Sequence, residues 1–248
     1  MNAFADRFSG AFSGRSFDFA ALLKTNDISA PVQKHLVNVY STLAATVLVA
    51  AVGVAADVAF NLAGALSGIG VIGLIFYLMF IDRNATPKRL AVLLGIAFTM
   101  GVNTGPLVSL ALDVNPWLVA TAFFGTSVIF ACFTGSALLE KRRSYFFLYS
   151  AMSSAVLCLS LVQLANIFVR SASLYSVELY MGLLLFCGYV LVDTQMIIEK
   201  ASLGDRDFVL HSLDLFLDFV SIFVRLLVVL LKNADDKKRR EDERKRQR

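Results

Sequence analysis

Charge is what this sequence has least of. Asp, Glu, Lys and Arg make up 17% of its 248 residues, where a soluble domain carries about 25%. Many of the charges it has crowd into the last seventeen positions, KNADDKKRREDERKRQR. A soluble enzyme or a nucleic-acid-binding domain would spread them over its surface. Cysteine is equally scarce. Cys132, Cys158 and Cys187 each lie inside an apolar run, so there is neither a disulfide framework nor zinc-ligand spacing. The only two histidines, His35 and His211, are far apart in sequence and are expected at the membrane interface, not as metal ligands. Residues 1–34 hold Asp6, Arg7, Arg15, Asp18, Lys24 and Asp27 with no apolar core. They do not read as a cleavable leader, so the first hydrophobic helix is expected to act as the insertion signal. Phe17, Phe19, Leu22 and Leu23 of this arm could rest on a bilayer surface.

What the sequence does have is long apolar runs. Hydrophobic residues make up 57% of it, in blocks of the ~20 residues needed to span a bilayer as a helix. A β-barrel would show short alternating segments instead. Six helices are expected, at about His35–Ala56, Leu62–Ile81, Leu90–Leu112, Trp117–Leu139, Tyr145–Phe168 and Glu178–Ile198. Ser29 and Pro31 suit the start of the first. The expected fold is an all-α integral membrane protein, six transmembrane helices around a central seventh segment that either spans or re-enters. A polar arm (1–34), a transmembrane domain (35–231) and a basic tail (232–248), expected in the cytosol, complete the plan.

The seventh stretch, Val209–Leu231, carries His211, Asp214, Asp218 and Arg225. On a helix these four fall within about 60° of one another. An intramembrane charge costs about 2.5–3.5 kcal/mol on insertion scales, so this narrow stripe should face the bundle interior. Within GVNTGP, Gly101 and Gly105 have the small-xxx-small spacing of a close helix crossing. Pro106 lacks an N–H and is expected to kink the helix. Asp193 sits near the end of the sixth helix. A short connection could set it opposite Asp218, and two close carboxylates in a low dielectric cannot easily both ionise, so they would titrate as a unit.

Lys and Arg fix the expected orientation. The arm, the second connection (Arg83, Lys88, Arg89) and the fourth (Lys141, Arg142, Arg143) are basic, whereas the first and third hold no Lys or Arg. The N-terminus is therefore expected in the cytosol. After six spans the chain is back there. Charge bias then favours a re-entrant last segment with a cytosolic tail, while its length favours a full crossing.

Taken together, ISAPVQKHLVNVY, KRLAVLLGIAF, GVNTGPL, AFFGTSVIFACFT, VDTQMIIEKASLGD and LDLFLDF resemble the Bax inhibitor-1 family, and its eukaryotic endoplasmic-reticulum branch in particular. The resemblance covers the chain from about Ile28 onward. It implies a multi-pass protein of the endoplasmic-reticulum membrane that suppresses programmed cell death and mediates a pH-sensitive calcium leak. It further implies a di-aspartyl sensor, matching Asp193 and Asp218, that interacts with an arginine, here Arg89 or Arg83. Asp214 and Arg225 are auxiliary candidates. Calcium would be a permeant ion held weakly by Asp193 and Asp218, because two or three carboxylates fall short of a six- to eight-oxygen cage. No other cofactor, no nucleic acid and no enzymatic activity are expected. The partners are the lipid bilayer, other endoplasmic-reticulum membrane proteins and, at the basic tail, calmodulin. Two other classes compete. An intramembrane aspartyl protease would need YD and GxGD, but Asp193 follows Val192 and SLGD lacks the first glycine. A membrane scaffold without transport would act through its tail.

Overall fold

The computed structural model describes residues 28–139 and 145–246. The polar arm up to Asp27 and the basic connection Lys141–Arg143 lie outside the described residues. Seven helices run in order: α1 Ala30–Phe60, α2 Ala65–Phe80, α3 Thr86–Val114, α4 Pro116–Leu139, α5 Tyr145–Val169, α6 Ala172–Ser202 and α7 Phe208–Arg246. No strand occurs among the described residues. Five helices, α1 and α3–α6, are long and apolar enough to cross a membrane. The second expected span is shorter: α2 has 16 residues, about 24 Å at 1.5 Å per residue, against a hydrocarbon core of about 30 Å. The exposed surface carries Leu48, Ile69, Phe80, Phe124, Leu161 and Phe168. Such a surface suits lipid, and the protein is a multi-pass membrane protein.

The helix ends follow local chemistry. Ser29 is the N-cap of α1, with an extended backbone and Pro31 in the first turn. Helix α6 stops at Gly204, whose φ of 100° suits a residue without a Cβ. The Asp205 amide donates back to the Lys200 carbonyl at 2.9 Å, closing the turn.

Helix α7 is the axis of the bundle. It packs against α1, α3, α4 and α6, while α5 rests on α6 and α2 on α3. Leu215, Phe216, Ile222 and Leu227 of α7 are wholly buried. α7 is one unbroken helix of 39 residues, and no Gly or Pro follows Gly204. It runs antiparallel to α6 along the length of that helix. Asp218 meets Asp193, Arg225 packs on Gly182 and Phe186, and the Lys232 ammonium donates to Ser176 Oγ at 2.5 Å. Residues 232–246 continue the same helix, exposed from 235 to 241.

Helices α1 and α3 form the tightest pair. A Cβ added at Gly101 would fall on the Ala50 carbonyl, one at Gly105 on the Asp57 side chain, and one at Gly53 on the Phe98 carbonyl. These contacts make a close helix crossing. Helix α3 continues through Pro106. The Thr104 hydroxyl donates to the Met100 carbonyl at 2.8 Å, one turn before the proline.

Candidate functional site

The carboxylate stripe lies where α7 packs on α6. Helix geometry puts Asp214 and Asp218 on one face of α7, and the antiparallel α6 brings Asp193 to that face. The Asp193 and Asp218 carboxyl groups are close enough for a hydrogen bond between them. Asp218 is 4% exposed. With both groups ionised the pair holds no donor, and Asp218 Oδ2 is left without a partner. Asp214 adds its field to both members of the pair, one turn back along α7. Among the described residues, no group of three or more His, Cys, Asp or Glu side chains is arranged to hold a metal ion.

The arginines expected beside this pair are placed elsewhere. Arg89, 3% exposed, forms an ion pair with Asp207, its Nη2 2.7 Å from Oδ2. Arg83 reaches Asp205 at 3.2 Å and Asp207 at 4.0 Å. Asp207 precedes Asp218 by eleven residues, about 16 Å along a helix, which is the physical reason neither guanidinium reaches the pair. These ion pairs fasten the α2–α3 connection and the first turn of α3 to the turn that leads into α7. Arg225 lies beyond the pair on α7, its guanidinium 4.3 Å from the Phe186 ring and its Nη1 donating to the Ser221 carbonyl at 3.3 Å.

His35 and His211 pair with each other, a contact the sequence reading did not foresee. Both are buried, with His35 Nε2 and His211 Nδ1 2.9 Å apart and the rings edge to face. They join the second turn of α1 to the first turn of α7, and the two helices begin at the same end of the bundle. Nearby, the Ser212 hydroxyl donates to the Val39 carbonyl at 3.0 Å. Each histidine lies near the start of its own apolar segment, and that common depth was the signal that could have paired them. His211→Ala leaves a buried ring unpartnered and is expected to cost about 1–3 kcal/mol. The double variant with His35→Ala should cost less than the sum of the two singles, read from melting in detergent.

A second missed carboxylate is Asp57, 3% exposed, at the far end of α1. It packs against Gly105 and accepts a hydrogen bond from the Ala63 amide at 2.6 Å. Ser67 Oγ reaches Asn103 Oδ1 at 2.5 Å. The Asp57 contacts close the α1–α2 turn over the α1–α3 crossing.

Residues 32–235 match the family model described as "Inhibitor of apoptosis-promoting Bax1". The chain belongs to the Bax inhibitor-1 family. It is 47% identical over 229 residues to the probable Bax inhibitor 1 of Paralichthys olivaceus, covering 91% of this chain and 97% of that one. The Bax inhibitor 1 of Arabidopsis thaliana is 44% identical over 238 residues, 96% of each chain. That of Homo sapiens is 44% identical over 229 residues, 91% of this chain and 97% of that one. The likeness therefore spans every described helix up to the early part of the α7 extension. The protein is a member of a family of membrane-embedded cell-death suppressors.

Proposed function

We propose that this Bax inhibitor-1 family member suppresses cell death from the endoplasmic-reticulum membrane through a pH-sensitive calcium leak gated at Asp193 and Asp218. One observation supports the reading above others: two carboxyl groups share a buried contact between α6 and the central helix. Proton loss from such a pair introduces unbalanced charge into the packing of α7, and proton uptake removes it. The pair therefore biases the position of α7 between two populations. Calcium meets these carboxylates transiently as it passes. Arg89, Arg83 and Asp207 anchor the entry of α7 rather than the pair itself.

Calcium efflux from liposomes holding the purified full-length protein, measured across pH, tests this. Asp193→Asn and Asp218→Asn each keep the shape and remove one titrating group, so each should change the pH dependence of efflux. An unchanged profile in both variants sinks the proposal.

The helical extension 232–246 supports a second reading, a scaffold that acts on neighbouring membrane proteins through a charged rod. A reconstituted protein that passes no calcium at any pH would favour it. Sidedness follows from the same helix. The basic connections put the N-terminus in the cytosol, and α7 beside α6 carries the extension to the opposite side. A glycosylation acceptor inserted after Asn233 is expected to be modified in microsomes. Modification would exclude calmodulin as a tail partner. An unmodified acceptor would return the tail to the cytosol and restore calmodulin as a candidate.

A further inference from the structure

Helices α1 and α4 share no extended contact, although both pack on α7. The gap between them is a groove open along its side. Two cavities, of about 480 Å³ and about 610 Å³, occupy it. Both are lined by Val47 of α1, Phe123 of α4 and Phe219 of α7, so they adjoin at these three side chains. Small residues keep the walls apart: Ala44 and Ala51 on one side, Ala120 and Ala131 on the other. The floor is aromatic, with Phe219 edge-on to Phe130 at 5.7 Å and to Phe123 at 6.1 Å. The neighbours hold the groove open, since α1 is locked to α3 at Gly53 and Gly101, and α4 is fixed to α6 by the Gln195 amide on the Ala137 carbonyl.

We infer that this groove holds one acyl chain of a bilayer phospholipid, entering sideways between α1 and α4. Its length fits. From Tyr40 to Val54 the α1 wall runs about 21 Å at 1.5 Å per residue, enough for a chain that fills one leaflet, about half of the ~30 Å hydrocarbon core. Its chemistry fits as well. The lining is almost wholly apolar, and no Lys or Arg is among the residues of either cavity. A free fatty acid would bring a carboxylate that nothing in the groove balances, whereas a phospholipid keeps its headgroup at the interface. Left empty, the floor and walls would forfeit dispersion contacts along the groove.

The test uses the full chain in phosphatidylcholine vesicles doped with a phospholipid bearing a diazirine on its acyl chain. After photolysis, adducts are mapped by mass spectrometry. Phe123, Phe219 and Ala51 should be labelled severalfold more than Leu157 and Leu164, which face lipid on α5. Ala51→Phe and Ala131→Phe, both at exposed wall positions, should each abolish that excess and leave the α5 adducts unchanged. Equal labelling of groove and α5 would overturn the proposal, reducing the groove to ordinary annular surface. Loss of the excess on adding a free saturated fatty acid would overturn it differently, by making the fatty acid the occupant.

Discussion

Arg89→Ala is expected to lower the stability of the folded protein by about 3–5 kcal/mol, the range for removing one partner of a buried ion pair. Both partners are enclosed, with side-chain exposures of 4% for Arg89 and 6% for Asp207, so screening by solvent is slight. The loss would come from the carboxylate left behind, not from the attraction alone. Asp207 would keep the Leu210 amide, 3.3 Å from Oδ1, and the distant Arg83. It would lose the close guanidinium. Replacing both residues with apolar ones of similar size, Arg89→Met with Asp207→Leu, should recover much of the loss, because no buried charge then stays unpaired. Melting of the single and double variants in one detergent gives the coupling energy. Equal melting of Arg89→Ala and wild type would show that the pair holds nothing.

The same contact sets an acid limit. Asp207 lies between α6 and α7, outside the membrane-spanning helices. Burial alone would push its carboxyl up. The Arg89 hydrogen bond, the Leu210 amide and the charges of Arg89 and Arg83 outweigh burial and hold it below its ordinary value. A carboxyl depressed in the fold stabilises fully above its unfolded value, and that stabilisation is lost as pH falls through the folded value. The loss should therefore begin only below about pH 4, and Asp207→Asn should remove that part of the acid dependence. The contact stays ionised at physiological pH. It is an anchor, and the pH-dependent efflux proposed above would have to come from other groups.

How much of this was legible in the sequence depended on whether a signal was local. Apolar runs are local, and all seven helices stand where the runs predicted them. Most of the ends moved outward, as where α6 begins at Ala172 instead of about Glu178, whereas α2 is shorter than its run at both ends. The α6–α7 carboxyl pair was legible only in part: a short loop allows antiparallel neighbours that could set Asp193 opposite the α7 stripe, and the family resemblance singled out Asp218 within it. The extension of α7 was missed for a physical reason. A charged tail cannot build a core, but a helix already nucleated propagates cheaply. Asp236 with Arg240 and Lys237 with Glu241 have the spacing that supports it. Arg89 with Asp207, and His35 with His211, join segments more than a hundred residues apart. Nothing in either segment alone names its partner, so the arginine was assigned to another carboxylate and the histidine pair was missed.

Gly101→Leu and Gly105→Leu should be the most disruptive single changes in the membrane-embedded part of the chain. At Gly101 even a Cβ would overlap the Ala50 backbone, and backbone cannot rotate away as a side chain can. Overpacking costs about 1–3 kcal/mol where side chains can yield. Here two helix backbones must separate, so Gly101→Ala should reach that range and Gly101→Leu exceed it. Gly105→Leu also displaces Asp57 from the Ala63 amide, leaving a buried carboxylate short of its donor. Gly73 on α2 is the control, for an added Cβ meets nothing within 4 Å there. Gly73→Ala should be neutral or gain up to about 1 kcal/mol from helix propensity. Thermal melting in detergent reads all four. The comparison also bears on function, since α1 and α3 both pack on α7. Forcing them apart should loosen the seat of α7 and shift calcium efflux in the same variants that melt early, whereas Gly73→Ala leaves both unchanged. If Gly101→Leu melted with the wild type, the α1–α3 crossing drawn here would be wrong, and with it the frame that holds the central helix.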